Sequence, residues 1–129
     1  MLRTRLCELL GIEYPVISAG MGAVALARLA AAVSEAGGMG TIGLAALGAD
    51  AARAEIRAAR ELTARPFGVN LLIPFIGPGL IDAVIAERPA AATFFWGAPD
   101  DFRISKSKCS TDPAGARRCA LRACPARST

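Results

Sequence analysis

At 129 residues the chain is long enough for one domain with its own core and too short for two large ones. A composition of 53% hydrophobic and 20% charged residues excludes a chain that stays unfolded throughout. The net charge of +4 is unevenly placed: residues 1–102 carry eight Arg against ten acidic groups, while residues 103–129 carry seven Lys or Arg and only Asp112. A mildly acidic body excludes the basic stripe of a folded nucleic-acid binder.

The amino terminus places Arg3, Arg5 and Glu8 before any apolar stretch, so it does not read as a secretory signal. Tyr14 to Ala19 is a short apolar run ending at Gly20-Met21-Gly22, the pattern of a buried strand entering a tight turn. Leu26, Leu29, Ala30 and Val33 then recur at helical spacing, which predicts an amphipathic helix with those residues inward. Gly37-Gly38 stops it.

Residues 39–42 predict a second strand. Asp50 is the expected N-cap of a second helix reaching about Thr63. Its inward line is Ala52, Ile56, Ala59 and Leu62, and Arg57 with Glu61 is spaced for an i, i+4 ion pair. Residues 67–72 predict a third strand, entered through Pro66. A third helix is expected over 78–87 with Leu80, Ile81, Val84 and Ile85 inward, then a fourth strand over 91–96. The longest uncharged run, Pro66 to Ile81, has 16 residues broken by Pro and Gly. That is short of the roughly 20 needed to span a bilayer, so no membrane association is expected and a cytoplasmic location is the default.

Strand starts near residues 14, 39, 67 and 91 alternate with helices, which predicts right-handed βαβ units and an α/β fold with a parallel sheet. The spacing suits a (β/α) barrel, of which residues 1–101 would form an incomplete part. Residues 102–129 show neither helical nor strand periodicity, and three of the four Cys crowd there. We expect a disordered basic tail, translated out of the original frame; a coding sequence uninterrupted across codons 100–105 would remove that idea. Without a signal peptide, the cysteines are expected to be reduced thiols.

Chemistry in such folds sits where strand carboxyl ends meet helix starts. Gly20, Met21 and Gly22 occupy the first such end; the glycines either simply make the turn or bring main-chain groups close to a flat ligand. Asn70 is an amide on an apolar strand, either satisfied by neighbouring backbone or offered to a heterocycle. Phe95 and Trp96 are expected to pack in the core, with pocket lining as the alternative. Asp100 and Asp101 read as caps of a following helix. Gly37 to Gly40 lies between helix and strand, so it is no dinucleotide fingerprint; Gly40 and Gly43 are expected to allow close packing. The chain has no His, and Cys109, Cys119 and Cys124 lack ligand spacing, so neither a His base nor a metal site is expected.

The segments TRLCELLGIEYPVISAGMG, LAAAVSEAGGMGTIG, ELTARPFGVNLL and FFWGAP resemble, in order and over about residues 3–101, the amino-terminal half of the nitronate monooxygenase (2-nitropropane dioxygenase) family. The flavin-dependent enoyl-ACP reductases have similar strings. The resemblance implies a TIM barrel holding FMN, small-molecule alkyl nitronates as substrates, and O₂ as oxidant. It implies that Gly20, Met21, Gly22 and Asn70 face the flavin. It also implies FMN-phosphate loops and a catalytic histidine in a second half that has no counterpart here, so no catalytic residue is assigned and the chain alone is expected to be inactive. The alternatives are a fragment of an enoyl-ACP reductase relative, or a non-catalytic half-barrel that self-associates through its sheet edges, its basic tail free to bind a polyanion.

Overall fold

The computed structural model describes residues 3–96 and four short stretches of the tail. Strands β1 (Gly40–Gly43), β2 (Phe67–Leu72) and β3 (Ala91–Phe95) pair in parallel in the order β1-β2-β3. In this register Gly43 stands beside Asn70, and Asn70 beside Thr93. Helix α1 (Arg5–Leu10) opens the described chain, and α2 (Ala27–Glu35) precedes β1. Helices α3 (Ala49–Leu62) and α4 (Leu80–Glu87) make the crossovers, with a 3₁₀ turn at Ile73–Phe75. These are parallel strand–helix units of the expected (β/α) type.

Alternation along each strand sends Ile42, Val69 and Leu71 into one core with Ile56, Ala59, Leu80 and Val84 of the helices. Thr41, Gly43, Asn70 and Thr93 therefore take the opposite face. Small residues let α2 come close: a side chain on Gly40 would overlap the backbone of Ala30. Ser34, fully buried, fixes that approach, because its hydroxyl donates to the Pro66 carbonyl (2.9 Å) and accepts from the Gly40 N–H (3.0 Å). Two carboxylates tie the helices. Glu55 on α3 accepts the Ala27 N–H at 2.9 Å, capping α2 from outside. Glu87, nearly buried, accepts from Arg57 at 2.8 Å and lies within 3.7 Å of Arg53 and Arg60.

Several local expectations are corrected. The run at residues 14–19 does not form a full strand: it touches β1 through a single parallel bridge, Ile17 to Met39. The ladder stops because the Thr41 N–H turns to the Ser18 hydroxyl (2.9 Å), which leaves the chain free to peel away. Helix α1 was not signalled, being six residues without a long apolar stripe. On α2 the buried residues are Ala27, Ala30, Ala31 and Ser34, while Leu29 is exposed. The small residues face the sheet because Gly40 draws the helix too close for leucine. Gly48, not Asp50, caps α3; Asp50 lies in the first turn and pairs with Arg53 at 3.2 Å. Arg57 bonds Glu87 rather than Glu61, since a nearly buried carboxylate on the next helix is the less hydrated partner. Leu62 is exposed, and on α4 Ala83 and Glu87 are buried beside the expected Leu80 and Val84, while Ile81 packs half-buried against the core and Ile85 is half-buried.

Within the tail the structure describes β4 (Ile104–Lys106) pairing antiparallel with β7 (Leu121–Ala123), and β5 (Ser110–Thr111) with β6 (Arg117–Arg118). Ladders of two or three residues leave no periodicity to read in a sequence. The expected helix caps at Asp100 and Asp101, and the three tail cysteines, lie outside the described residues.

Candidate functional site at the strand carboxyl ends

The four predicted binding residues come together around Gly43. After Ser18 the chain folds back through a tight turn in which Val24 and Ala25 donate to the Met21 carbonyl at 3.1 and 2.7 Å. Gly43 pins the end of this turn, its N–H donating to the Ala25 carbonyl at 2.8 Å. Any side chain on Gly43 would strike the backbone of Met21 and Gly22 at 2.9 Å. Gly20 rests directly on Asn70: a side chain there would overlap the Asn70 Cβ and come within 2.9 Å of its Cγ and 3.1 Å of its Oδ1. Gly22 approaches Ala45 of the next loop. Glycine at 20 and 43 is thus required by close approach, not only by turning.

Asn70 is 5% exposed, and its Nδ2 donates to the Thr93 hydroxyl at 3.0 Å. The Thr93 hydroxyl in turn donates to the Val69 carbonyl at 3.3 Å. The amide therefore supports the loop from beneath, with Oδ1 toward Gly20. Met21, by contrast, stands 47% exposed above it.

The rest of the rim is apolar and open. Phe95 and Trp96 are 56% and 68% exposed, which corrects the expectation that they pack in the core: no helix among the described residues covers the end of β3. The Trp96 ring stands 6.2 Å from that of Phe75, tilted by 55°. Non-glycine residues with left-handed φ follow the 14–19 run, β1 and β3, at Ala23 (60°), Ala46 (62°) and Trp96 (61°), but not β2. Such backbone costs about 1–2 kcal/mol per residue and concentrates where chain geometry serves a ligand. Rim segments 19–25, 44–48 and 73–79 hold no charged residue. Glycine backbone, one amide and exposed aromatic and thioether surface fit a flat, mostly apolar heterocycle with a polar edge.

Gly43 and Thr93 escaped the sequence reading as site residues. The signal was present for both: in a parallel sheet with Asn70 facing away from the helices, the neighbours in register share its face. A shallow concavity of about 570 Å³ lies at the other end of the strands, lined by Arg3, Cys7, Glu8, Glu13 and Arg65 among others. Ligands of parallel α/β folds bind at carboxyl ends, so that concavity is not the better candidate. Among the described residues no group of His, Cys, Asp and Glu could hold a metal ion, and no helix is long and apolar enough to cross a membrane.

Parallel strands backed by helices, with glycine-lined loops gathered at their carboxyl ends, define the ligand-binding rim of a (β/α)-barrel protein. The family is then direct: residues 3–114 match the protein-family model for nitronate monooxygenase, and the chain belongs to that family. It is 43% identical over 83 residues to a nitronate monooxygenase of Paraburkholderia phytofirmans, covering 64% of this chain and 22% of that protein. It is 35% identical to a nitronate monooxygenase of Pseudomonas aeruginosa, over 74% of this chain and 38% of the relative. A Mycobacterium tuberculosis hydroxy-methyl-oxo-octahydroindene-carboxyl-CoA dehydrogenase is 42% identical over 72% of this chain and 26% of its own length. Among solved structures, FabK from Thermotoga maritima superposes with a TM-score of 0.73 at 40% identity, over 78% of this chain and 33% of that one. Nitroalkane oxidase from Streptomyces ansochromogenes gives 0.51 at 38% identity, over 64% and 24%. The chain thus spans between about a fifth and two fifths of the length of these relatives.

Proposed function

We propose that this chain forms the first part of the FMN seat of a nitronate-oxidising barrel and has no nitronate-oxidising activity alone. The observation that carries the reading is the stacking of Gly20-Met21-Gly22 on Asn70 and Gly43 at the strand carboxyl ends. Bound FMN would supply the electron-accepting chemistry. The main chain of Gly20 to Gly22 would lie against the ring edge, Met21 would cover apolar ring surface, and Asn70 would hold the loop at its height. Phe75 and Trp96 would shield the reacting face from water. No residue in rim segments 19–25, 44–48 or 73–79 titrates, and the chain has no His, so the proton-transfer group would come from other parts of a complete barrel.

The test is a chimera in which residues 3–96 replace the matching segment of the P. aeruginosa nitronate monooxygenase. It should purify with FMN and consume alkyl nitronates, while the isolated chain stays at background. A folded chimera without flavin, or nitronate turnover by the isolated chain, would contradict the proposal. A second reading, reduction of an enoyl thioester, draws on the likeness to FabK and to the CoA-substrate dehydrogenase. The same chimera approach on the FabK frame, assayed with enoyl-thioester and nitronate in parallel, separates the two.

A further inference from the structure

We infer that Thr93 is a positioning residue for the Gly20–Gly22 loop, acting through Asn70. The inference extends the flavin-seat reading to a residue on a different strand. Three observations carry it. The Asn70 Nδ2 donates to Thr93 Oγ1 at 3.0 Å, and that oxygen's own proton goes to the Val69 carbonyl at 3.3 Å. The hydroxyl is therefore oriented: its proton is committed to the backbone, and its lone pair receives the amide. Gly20 packs on the whole Asn70 side chain: a methyl group there would overlap the Asn70 Cβ and come within 2.9 Å of Cγ and 3.1 Å of Oδ1, so the torsions that Thr93 fixes set which amide atoms lie under Gly20.

The loop also has few other supports. After the Ile17–Met39 bridge it leaves the sheet, because Ser18 takes the Thr41 N–H on its side chain instead of continuing the ladder. What holds it is the Gly43 N–H on the Ala25 carbonyl, the packing of Gly43 and Ala45 against Met21 and Gly22, and, under the Gly20 end, the Asn70 side chain. Rotation about the Asn70 side-chain bonds would leave Cβ under Gly20 but change the Cγ and Oδ1 contacts at 2.9 and 3.1 Å, loosening the Gly20 end. Thr93 blocks that rotation, and because it is exposed on β3, its replacement leaves the buried core untouched.

The experiment uses the full chain labelled with ¹⁵N and compares Thr93→Val, which keeps the shape, with Thr93→Ser, which keeps the hydroxyl. In Thr93→Val the Asn70 side-chain amide resonances should move and the amides of Gly20, Met21 and Gly22 should shift and exchange faster. Amides of Ile56 and Ala59 on α3 should stay in place, and Thr93→Ser should restore the parent spectrum. Loop amides unchanged in Thr93→Val, or moved equally by Thr93→Ser, would overturn the inference. FMN fluorescence quenching on the same samples tests the underlying reading separately: binding should weaken about tenfold in Thr93→Val, as expected for the loss of the part-buried hydrogen bond that orients Asn70. A parent chain that leaves FMN fluorescence unquenched while the loop amides still respond to Thr93→Val would refute the flavin seat and leave the positioning role standing.

Discussion

Single atoms decide much of this molecule. Gly40 has no room for a methyl group because the Ala30 backbone fills that space. Gly40→Ala should therefore cost about 3 kcal/mol in urea unfolding, since the helix must move off the strand; a loss under about 0.5 kcal/mol would show that α2 sits further out. Cys7 is another such point. Backbone and side-chain hydrogen bonds from Thr4 outweigh burial and hold its thiol below the ordinary value. The thiolate is thus favoured in the folded chain. Its contribution to stability is complete above the unfolded thiol pKa and is lost as pH falls through the lower folded one. Alkylation of the Cys7 peptide, followed by mass spectrometry across pH, should inflect below the inflection of the same peptide in urea; coincident inflections would contradict this.

At the scale of elements, periodicity located α2 to α4 and β1 to β3 and the inward residues Ala52, Ile56, Ala59, Leu80 and Val84, but it missed α1 and misjudged part of the α2 face. The strand over 67–72 was legible in full because Pro66 starts it and a continuous apolar run fills it. The run at 14–19 looked equally strand-like, yet Ser18 diverts the ladder through its side chain, which no pattern of apolar residues encodes. Helix α2 turned its alanines inward against the expected leucines, because the choice was made by Gly40 on another element. The same applies to the site. Gly20, Gly22 and Asn70 were candidates from their residue types at strand ends, whereas the contacts of Asn70 with Thr93 and of the loop with Gly43 became visible only through register. The link between α3 and α4 is likewise tertiary: Arg53, Arg57 and Arg60 converge on nearly buried Glu87. Since the arginines are substantially exposed, Glu87→Gln should cost only about 1–2 kcal/mol. Urea unfolding with and without 1 M salt would check it, the parent losing more of its margin than the variant.

For the whole molecule, the described body has two unfinished boundaries. Strand β3 pairs only with β2 among the described residues, and Tyr14, Val16, Ile17, Val24, Phe75, Phe95 and Trp96 stand exposed. Open edges and clustered apolar side chains favour association. Sedimentation velocity should therefore show mass rising with concentration, and Trp96→Glu should weaken that trend; a monomer at all concentrations would contradict it.

The most direct test is a titration of the ¹⁵N-labelled chain with millimolar FMN. Resonance changes should concentrate at Gly20, Met21, Gly22, Gly43, Asn70 and Trp96. Changes centred instead on Cys7, Glu13 and Arg65, or none at saturating FMN, would contradict the flavin seat.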